Sequence, residues 1–321
     1  MNNIEVIGLG ALNIDNIYQV DRILEDGEAV VKESGLFPGG SAANTIYGLA
    51  KLEVNIGFTG VVGDDAEGKI LLDDFQKAGV DISQIRVKRR TKTGATLCLS
   101  DRPGKRSLYV VPGANNLLTM DDLDLNYINQ AKMLHLSSFV DDRQFKVLLE
   151  LMDKLSPSIK VSFSPGALYA SRGLEALKPI LARTYTLFIN ESEIQQLTGK
   201  DFKAGAETCL EQGCQIVVVT LGKGASYKSV MATCYIRDAE KEYVVESSNK
   251  NLISALDTTG AGDAFASGFL YGLIKNKELE ECGRLGDITA QFSISKVGAR
   301  EGLPTVDELS QRYQELYSEQ R

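Results

Sequence analysis

Short apolar runs recur along the chain, each bounded by Gly, Ser or Asn: Ile4–Ile7, Ile56–Val62, Lys132–Leu136, Lys160–Phe163, Thr186–Ile189 and Ile216–Thr220. Several lack the polar alternation of a half-exposed strand, which suits parallel strands buried on both faces. Between them, apolar residues return at three and four in Ala42–Leu52, Gly68–Ala78, Asp142–Leu155, Gly173–Ala182, Glu191–Leu197 and Ala204–Gln212. That spacing gathers them on one helical face. The alternation predicts an α/β fold: a mostly parallel central sheet with helices on both faces.

Two regions break the pattern. Asn16–Val20 with Ala29–Leu36, and Gly94–Ser100 with Ser107–Val111, read as strands with no helix inside either pair. They predict a small β-sheet lid, inserted at residues 15–36 and 92–112 into a single domain spanning residues 1–321. So small a sheet needs its second face covered, by substrate, by the main body or by another subunit. The segment from Ala261 to Val297 reads as two helices, Gly298–Pro304 as a loop and Val306–Ser318 as a last amphipathic helix.

A hydrophobic content of 43% supplies a full core, and 35 basic against 43 acidic residues give a net charge of −8. This argues against nucleic acid as the main partner. An acidic protein that handles phosphate must make its positive potential locally, from backbone amides, a few Lys or Arg, or a metal. Five cysteines are scattered without a CxxC pair, and the single His135 cannot complete a zinc site with them. Reduced thiols in a cytoplasmic protein are expected. Residues from Met1 onward run straight into a strand pattern without a secretory signal, and no apolar run is long enough to span a membrane.

Two glycine motifs are decoys. Gly8-Leu-Gly-Ala-Leu-Asn13 follows a strand, but β-like residues follow it where a dinucleotide fold needs a helix. Gly63-Asp-Asp-Ala-Glu-Gly-Lys-Ile70 lacks the hydroxyl that holds magnesium, and its acids repel phosphate. It reads as a strand-to-helix turn whose acids favour the helix start.

Chemistry concentrates in Asp257-Thr-Thr-Gly-Ala-Gly-Asp-Ala-Phe265, which leads into an apolar helical run. Backbone amides of Gly260, Ala261 and Gly262 at a helix start attract an anion. Asp263 in that same turn competes with the anion, unless its task is to take a proton from a hydroxyl attacking a phosphoryl group. Alternatively, it only complements the helix dipole. Pro38-Gly-Gly-Ser-Ala-Ala-Asn44 opens another helix. Gly39 and Gly40 allow close backbone approach to a ligand, with Asn44 in the first turn; as plain structure, Ser41 sits near the cap. Asn13 and Asp15 lie just past the first strand, where α/β folds bind ligands, and suit vicinal hydroxyls; an Asx turn is the alternative. Asn190-Glu-Ser-Glu193 fits a helix capping box and also a hydrated Mg²⁺. Thr220-Leu-Gly-Lys-Gly224 ends a strong strand and suits a nucleotide edge. His135, Cys209 and Cys214 read as packing residues.

In this order the motifs resemble the ribokinase-like (PfkB-type) carbohydrate kinase family: Gly39–Asn44, Gly60-Val-Val-Gly-Asp64 with Gly68, Gly113-Ala-Asn115, Asn190 with Glu193, Thr220–Gly224 and Asp257–Asp263. The resemblance spans nearly the whole chain. It implies an α/β domain of nine or so strands with a β lid, and transfer of the ATP γ-phosphate to a hydroxyl of a sugar or nucleoside. By position, Asp263 is similar to the base and the amides of Gly260–Gly262 to the anion hole. Asn190 and Glu193 would organise magnesium, while Thr220, Gly222 and Gly224 would line the nucleotide. Asn13, Asp15, Gly39, Gly40 and Asn44 would hold the acceptor. Asp257 and Thr259 match positions that in some relatives help bind a monovalent cation, which makes K⁺ an optional activator.

Asn13 with Asp15 is similar to the ribose-gripping pair of ribokinases. Ser41 departs from the Lys, and Ser137-Ser138 from the acid, that ribokinases tend to carry; Ser162-Phe-Ser-Pro-Gly166 departs from the Asp-x-Asn of many sugar kinases. A sugar acceptor is expected, with a nucleoside as the alternative. Relatives often pair through the lid, so a homodimer through Ala29–Val31 and Tyr109–Val111 is expected too. A non-catalytic sensor would need a damaged site, and none of the key positions is damaged.

Overall fold

The computed structural model describes residues 4–101, 106–246 and 255–317. Its strands are β1 (Val6–Leu9), β2 (Asn13–Val20), β3 (Glu33–Gly39), β4 (Ile56–Gly63), β5 (Asp81–Lys88), β6 (Gly94–Asp101), β7 (Arg106–Val111), β8 (Met133–Ser137), β9 (Lys160–Ser164), β10 (Thr184–Asn190), β11 (Ile216–Tyr227), β12 (Val230–Asp238) and β13 (Glu242–Glu246). The helices are α1 (Ser41–Lys51), α2 (Ala66–Lys77), α3 (Leu125–Ile128), α4 (Asp142–Lys154), α5 (Gly166–Ala170), α6 (Gly173–Leu181), α7 (Glu191–Thr198), α8 (Phe202–Glu211), α9 (Ala261–Ile274), α10 (Leu279–Ser293) and α11 (Val306–Tyr317).

Nine strands form one sheet in the order β13-β12-β11-β10-β9-β8-β1-β4-β5. From β5 to β11 the pairs are parallel; β12 and β13 add an antiparallel edge. Apolar strands such as β4, buried at every position, need cover on both faces. Helices α4 to α8 cover one face around Leu134, Val161, Leu187 and Val217. The other packs on α1, α2, α9 and α10 around Val6, Phe58, Val218 and Phe269. The chain leaves β1 toward β4 and β5, then returns to β8 on the other side of β1. Strand order therefore reverses between β1 and β8, which opens a crevice at their carboxyl ends.

The second sheet has the order β3-β2-β6-β7. Residues alternate between its faces. Asp15, Thr96 and Val110 share one row and look onto the crevice; Leu36, Asn16, Leu97 and Tyr109 share the next row on the outer face.

Several expectations are corrected. The segment expected as a strand over Ala29–Leu36 pairs only from Glu33 and continues through Pro38 to Gly39. As the edge strand of its sheet, β3 can hold a proline without losing a ladder bond. The strand expected to stop at Thr220 runs on to Tyr227, with a register shift between Thr220 and Ala225. The edge strands β5 and β13, and β12 beside β13, had no counterpart in the apolar pattern, because half-exposed strands near an edge carry mixed sequences. Gly298–Pro304 holds no helix or strand, and the last helix is described to Tyr317; Ser318 lies outside the described residues.

Candidate active site

Helices α1 and α9 both begin at the crevice. Gly40 precedes α1 with φ 104°, Gly260 precedes α9 with φ 75°, and neither residue has a side chain to cap its helix. Both glycines adopt backbone that L residues avoid. At Gly40 a Cβ would strike the Ala11 carbonyl, and at Gly260 it would strike Ala299. At α9, with no side-chain cap, first-turn amides stay available to a ligand, whereas at α1 the Ser137 hydroxyl accepts from the Ala42 amide at 3.1 Å. The Ala261 amide makes one long bond, 3.3 Å to the Thr258 carbonyl, and nothing crowds Gly262.

Asp263 joins the two helices. Its carboxylate accepts from the Ser41 hydroxyl at 2.7 Å and from Asn44 Nδ2 at 2.9 Å. Ser41, expected near the cap, thus serves the acid instead. Behind them lies Arg300, 6% exposed. It donates to Asn44 Oδ1 at 3.0 Å, Asp74 at 2.6 Å and the Gly39 carbonyl at 3.3 Å.

A cavity of about 400 Å³ opens over this cluster. Asn13, Asp15, Gly40, Ser41, Asn44, Glu193, Thr259, Gly260 and Asp263 line it, together with Thr96, Asn115 and Ser138. Leu108, Val110, Pro112, Phe139, Val140 and Leu168 give it an apolar wall. A larger depression of about 610 Å³ lies at the amino edge of β4 and β5. It contains none of these groups, so the smaller cavity is the chemical one.

Burial outweighs the hydrogen bonds from Asn44 and Ser41 and pushes the Asp263 carboxyl up to about 7. Burial likewise raises Asp15 to about 6, against the lowering effect of its Thr96 hydrogen bond and of Arg300. A carboxyl raised toward neutrality suits a group that exchanges protons. Asn13 Oδ1 accepts from Asn115 Nδ2 at 2.9 Å, and Asn115 Oδ1 accepts from the Leu12 amide at 3.0 Å. Asn115 thereby fixes the turn from β1 into β2 and leaves the Asn13 amino group for a ligand.

Other expected residues lie around the cavity. Gly39 sits behind the acid cluster, where a Cβ would strike the Asp15 carboxylate. Asn190 and Glu193 form a reciprocal capping box on α7, and burial holds the Glu193 carboxyl above its ordinary range. Asp257 braces the turn: it accepts from the Thr259 amide and hydroxyl and, at 3.0 Å, from the Gly298 amide. Thr220, Gly222 and Gly224 are not in the cavity lining. The two glycines take φ 57° and 103° at a bulge within β11, not in a terminal loop. His135 is fully buried against Ser162, and burial drives its pKa down to about 3. It is a neutral core residue, as expected. In the Gly63–Ile70 decoy, Asp65 caps α2 and Asp64 holds the amides of Arg90 and Thr91.

The described residues contain no cluster of three or more His, Cys, Asp or Glu arranged for a metal. Magnesium needs no such cluster, since one or two carboxylates suffice when phosphates complete the shell. Glu193, a half-buried carboxylate facing the cavity, fits that use.

Sequence reasoning missed the bonding roles of Ser41 and Asn115, and missed Arg300 altogether. The small residues Gly298, Ala299 and Gly302 around Arg300 were the one hint that this loop packs closely.

The sequence model described as pfkB family carbohydrate kinase matches residues 1–306. An uncharacterized sugar kinase of Archaeoglobus fulgidus is 37% identical over 257 residues, covering 80% of this chain and 98% of its own. An ATP-dependent ribose-1-phosphate kinase of Halopiger xanaduensis is 29% identical, with 95% and 96% covered. Among solved structures, a ribokinase of Thermotoga maritima superposes with a TM-score of 0.81 at 26% identity, over 96% of this chain and 98% of that one.

Proposed function

The chain belongs to the pfkB family of carbohydrate kinases, and from that premise we propose that it transfers the γ-phosphate of ATP to a primary hydroxyl of a sugar, with Asp263 as the base. One observation carries the reading: a carboxylate titrating near neutrality sits in the first turn of an uncapped helix, inside a cavity lined by Asn13 and Asp15. Asn13 and Asp15 grip the sugar hydroxyls and turn the CH₂OH toward Asp263. Asp263 takes the hydroxyl proton as the oxygen bonds to the γ-phosphorus. The bond from that phosphorus to the bridging oxygen breaks, and ADP leaves with the electron pair. Amides of Gly260 to Gly262 stabilise charge on the transferring group. Asn190 and Glu193 would hold Mg²⁺ and its waters, and the metal would supply neutralisation of phosphate charge. Thr220, Gly222 and Gly224 would flank the nucleotide from β11, and a monovalent cation such as K⁺, if one binds, would sit at Asp257 and Thr259. The small sheet acts as a lid on a single kinase domain and keeps water from the γ-phosphate.

The apolar wall of Leu108, Val110, Phe139, Val140 and Leu168 favours a second reading, a nucleoside whose base rests there while its ribose meets Asp15. A phosphorylated sugar is less suited, since no Lys or Arg is among the described residues that line the cavity. The test is an ADP-release assay with ribose, fructose, adenosine, cytidine, inosine and ribose-1-phosphate. Turnover with ribose or fructose supports the first reading, and turnover with nucleosides alone moves the assignment to the second. No ADP release with any acceptor sinks both.

Outer-face residues Leu36, Tyr109 and Val111 are 64%, 59% and 58% exposed. They favour a homodimer through the lid; a monomer mass in light scattering at assay concentration removes it. Five buried cysteines, none in a disulfide, suit the cytoplasm, and no described helix is long and apolar enough to cross a membrane.

A further inference from the structure

Arg300 sits outside every motif that suggested the chemistry, yet it touches three parts of the site. Each guanidinium nitrogen has a different partner: Nε on Asn44 in α1, Nη1 on Asp74 in α2 and Nη2 on the Gly39 carbonyl at the end of β3. The group lies over the rings of Tyr47 and Phe75, both with centroids 5.1 Å away. A buried cation is costly to keep unless it is paired and fully hydrogen-bonded, and a simple ion pair with Asp74 would not require contacts to Asn44 and Gly39. The consequence for Asn44 is specific. A side-chain amide has one donor end and one acceptor end. Arg300, which only donates, holds the Asn44 oxygen and so turns the Asn44 amino group onto Asp263, where it bonds at 2.9 Å. With the amide reversed, an oxygen would face the carboxylate and repel it.

We propose that Arg300 is a positioning residue: it fixes the Asn44 amide so that Asn44 donates to Asp263, and it holds the Gly39 carbonyl at the joint between lid and α1. The proposal rests on the kinase reading for its rate effects, but the amide orientation does not depend on it. The charged and titratable groups around this cluster are Asp15 on β2, Asp263 on α9, Asp257 before α9, Glu193 on α7, Asp74 on α2, Tyr47 on α1 and Glu301 beside Arg300. Arg300 is the cation that acts on the Asp15 and Asp263 carboxylates.

Arg300→Met keeps the apolar stem over Tyr47 and Phe75 and removes all three hydrogen bonds. Arg300→Lys keeps the charge but cannot reach three partners at once. With whichever acceptor the wild type phosphorylates, Arg300→Met should lower kcat roughly 10- to 100-fold, the scale of a misplaced catalytic group. KM for ATP should stay within about twofold, and Arg300→Lys should recover part of the loss. Combined with Asn44→Ala, the Arg300 substitution should cost clearly less kcat than it does alone, because its route through Asn44 is already gone and only the Gly39 contact is left to lose. A purely structural role predicts instead that both losses multiply, and that outcome overturns the proposal, as does wild-type kcat in Arg300→Met. If Arg300→Met does not fold, the same cycle with Arg300→Lys decides. A readout without acceptor separates this from the kinase reading. The Asn44 side-chain amide protons, assigned by their loss in Asn44→Ala, should exchange with solvent at least about tenfold faster in the Arg300 variants, since freed amides lose protection. Unchanged exchange in the folded variant overturns the proposal even if no acceptor is ever found.

Discussion

Helices α8 and α9 meet the same problem, four unpaired amides at their start, in opposite ways. Asp201 turns its carboxylate onto the amides of Lys203 and Ala204, both at 2.9 Å, and closes the opening of α8 with its own side chain. At α9 the preceding residue is Gly260 in left-handed backbone, no side chain caps the helix, and the acid of the first turn points to Ser41 and Asn44 instead. The first arrangement is finished by the chain itself; the second leaves its donors for an incoming anion. What separates a structural acid from a chemical one here is which donors it has taken, not how close it is to a helix start.

The sharpest break of this comparison exchanges each acid for its amide. Asp263→Asn should lower kcat by about 100- to 10,000-fold, the usual contribution of a general base, with nucleotide affinity retained by calorimetry. Turnover near wild type would make Asp263 another Asp201. Next in size is pH. The proposed mechanism needs Asp263 ionised as base and Asp15 ionised to grip the acceptor, so log kcat/KM should fall as pH drops through the window from about 7 to about 6 set by their raised pKa values, and a profile flat from pH 8 to 5 contradicts the proposed roles. The stability effect of Asp263 has the opposite sense. Its folded pKa is raised from 3.8, so the folded state binds more protons than the unfolded state between these values, and the Asp263 contribution to stability declines as pH rises across that window. The Tm of Asp263→Asn relative to wild type should therefore rise between pH 5 and pH 8.

Smaller effects sharpen the contrast. Gly260→Ala puts a Cβ against Ala299 in left-handed backbone; the backbone alone should cost roughly 1–2 kcal/mol of stability, the clash should add to it, and kcat should fall as the α9 amides shift. Asp201→Ala should lose about 1 kcal/mol in urea denaturation and leave kcat and KM untouched. Were Asp201→Ala to impair catalysis as much as Gly260→Ala, the two helix starts would not differ in kind.

The apolar rhythm revealed the interior strands because they are buried on both faces; β4, β8 and β11 all begin within one residue of where it placed them. Edges were harder to read. Strand β5 has a single buried residue, Ile85, and its mixed sequence carries no clear period. Pro38 hid the end of β3 by looking like a turn. In the site, the acids and glycines announced themselves through residue type and position. Arg300 did not, because its meaning depends on contacts with Gly39, Asn44 and Asp74, which are distant in sequence and adjacent only after folding.

Strand β3 ends at Gly39 and helix α1 begins at Ser41, so Gly40 alone separates them. A coupling one residue long has no slack. When the small sheet tilts, either the torsions of Gly40 absorb the rotation or Ser41 moves with it and pulls on the Asp263 carboxylate. If the sheet closes as the proposed lid, it would work as a lever whose short arm is the Ser41 hydroxyl, tying the position of the cover to that of the Asp263 carboxylate.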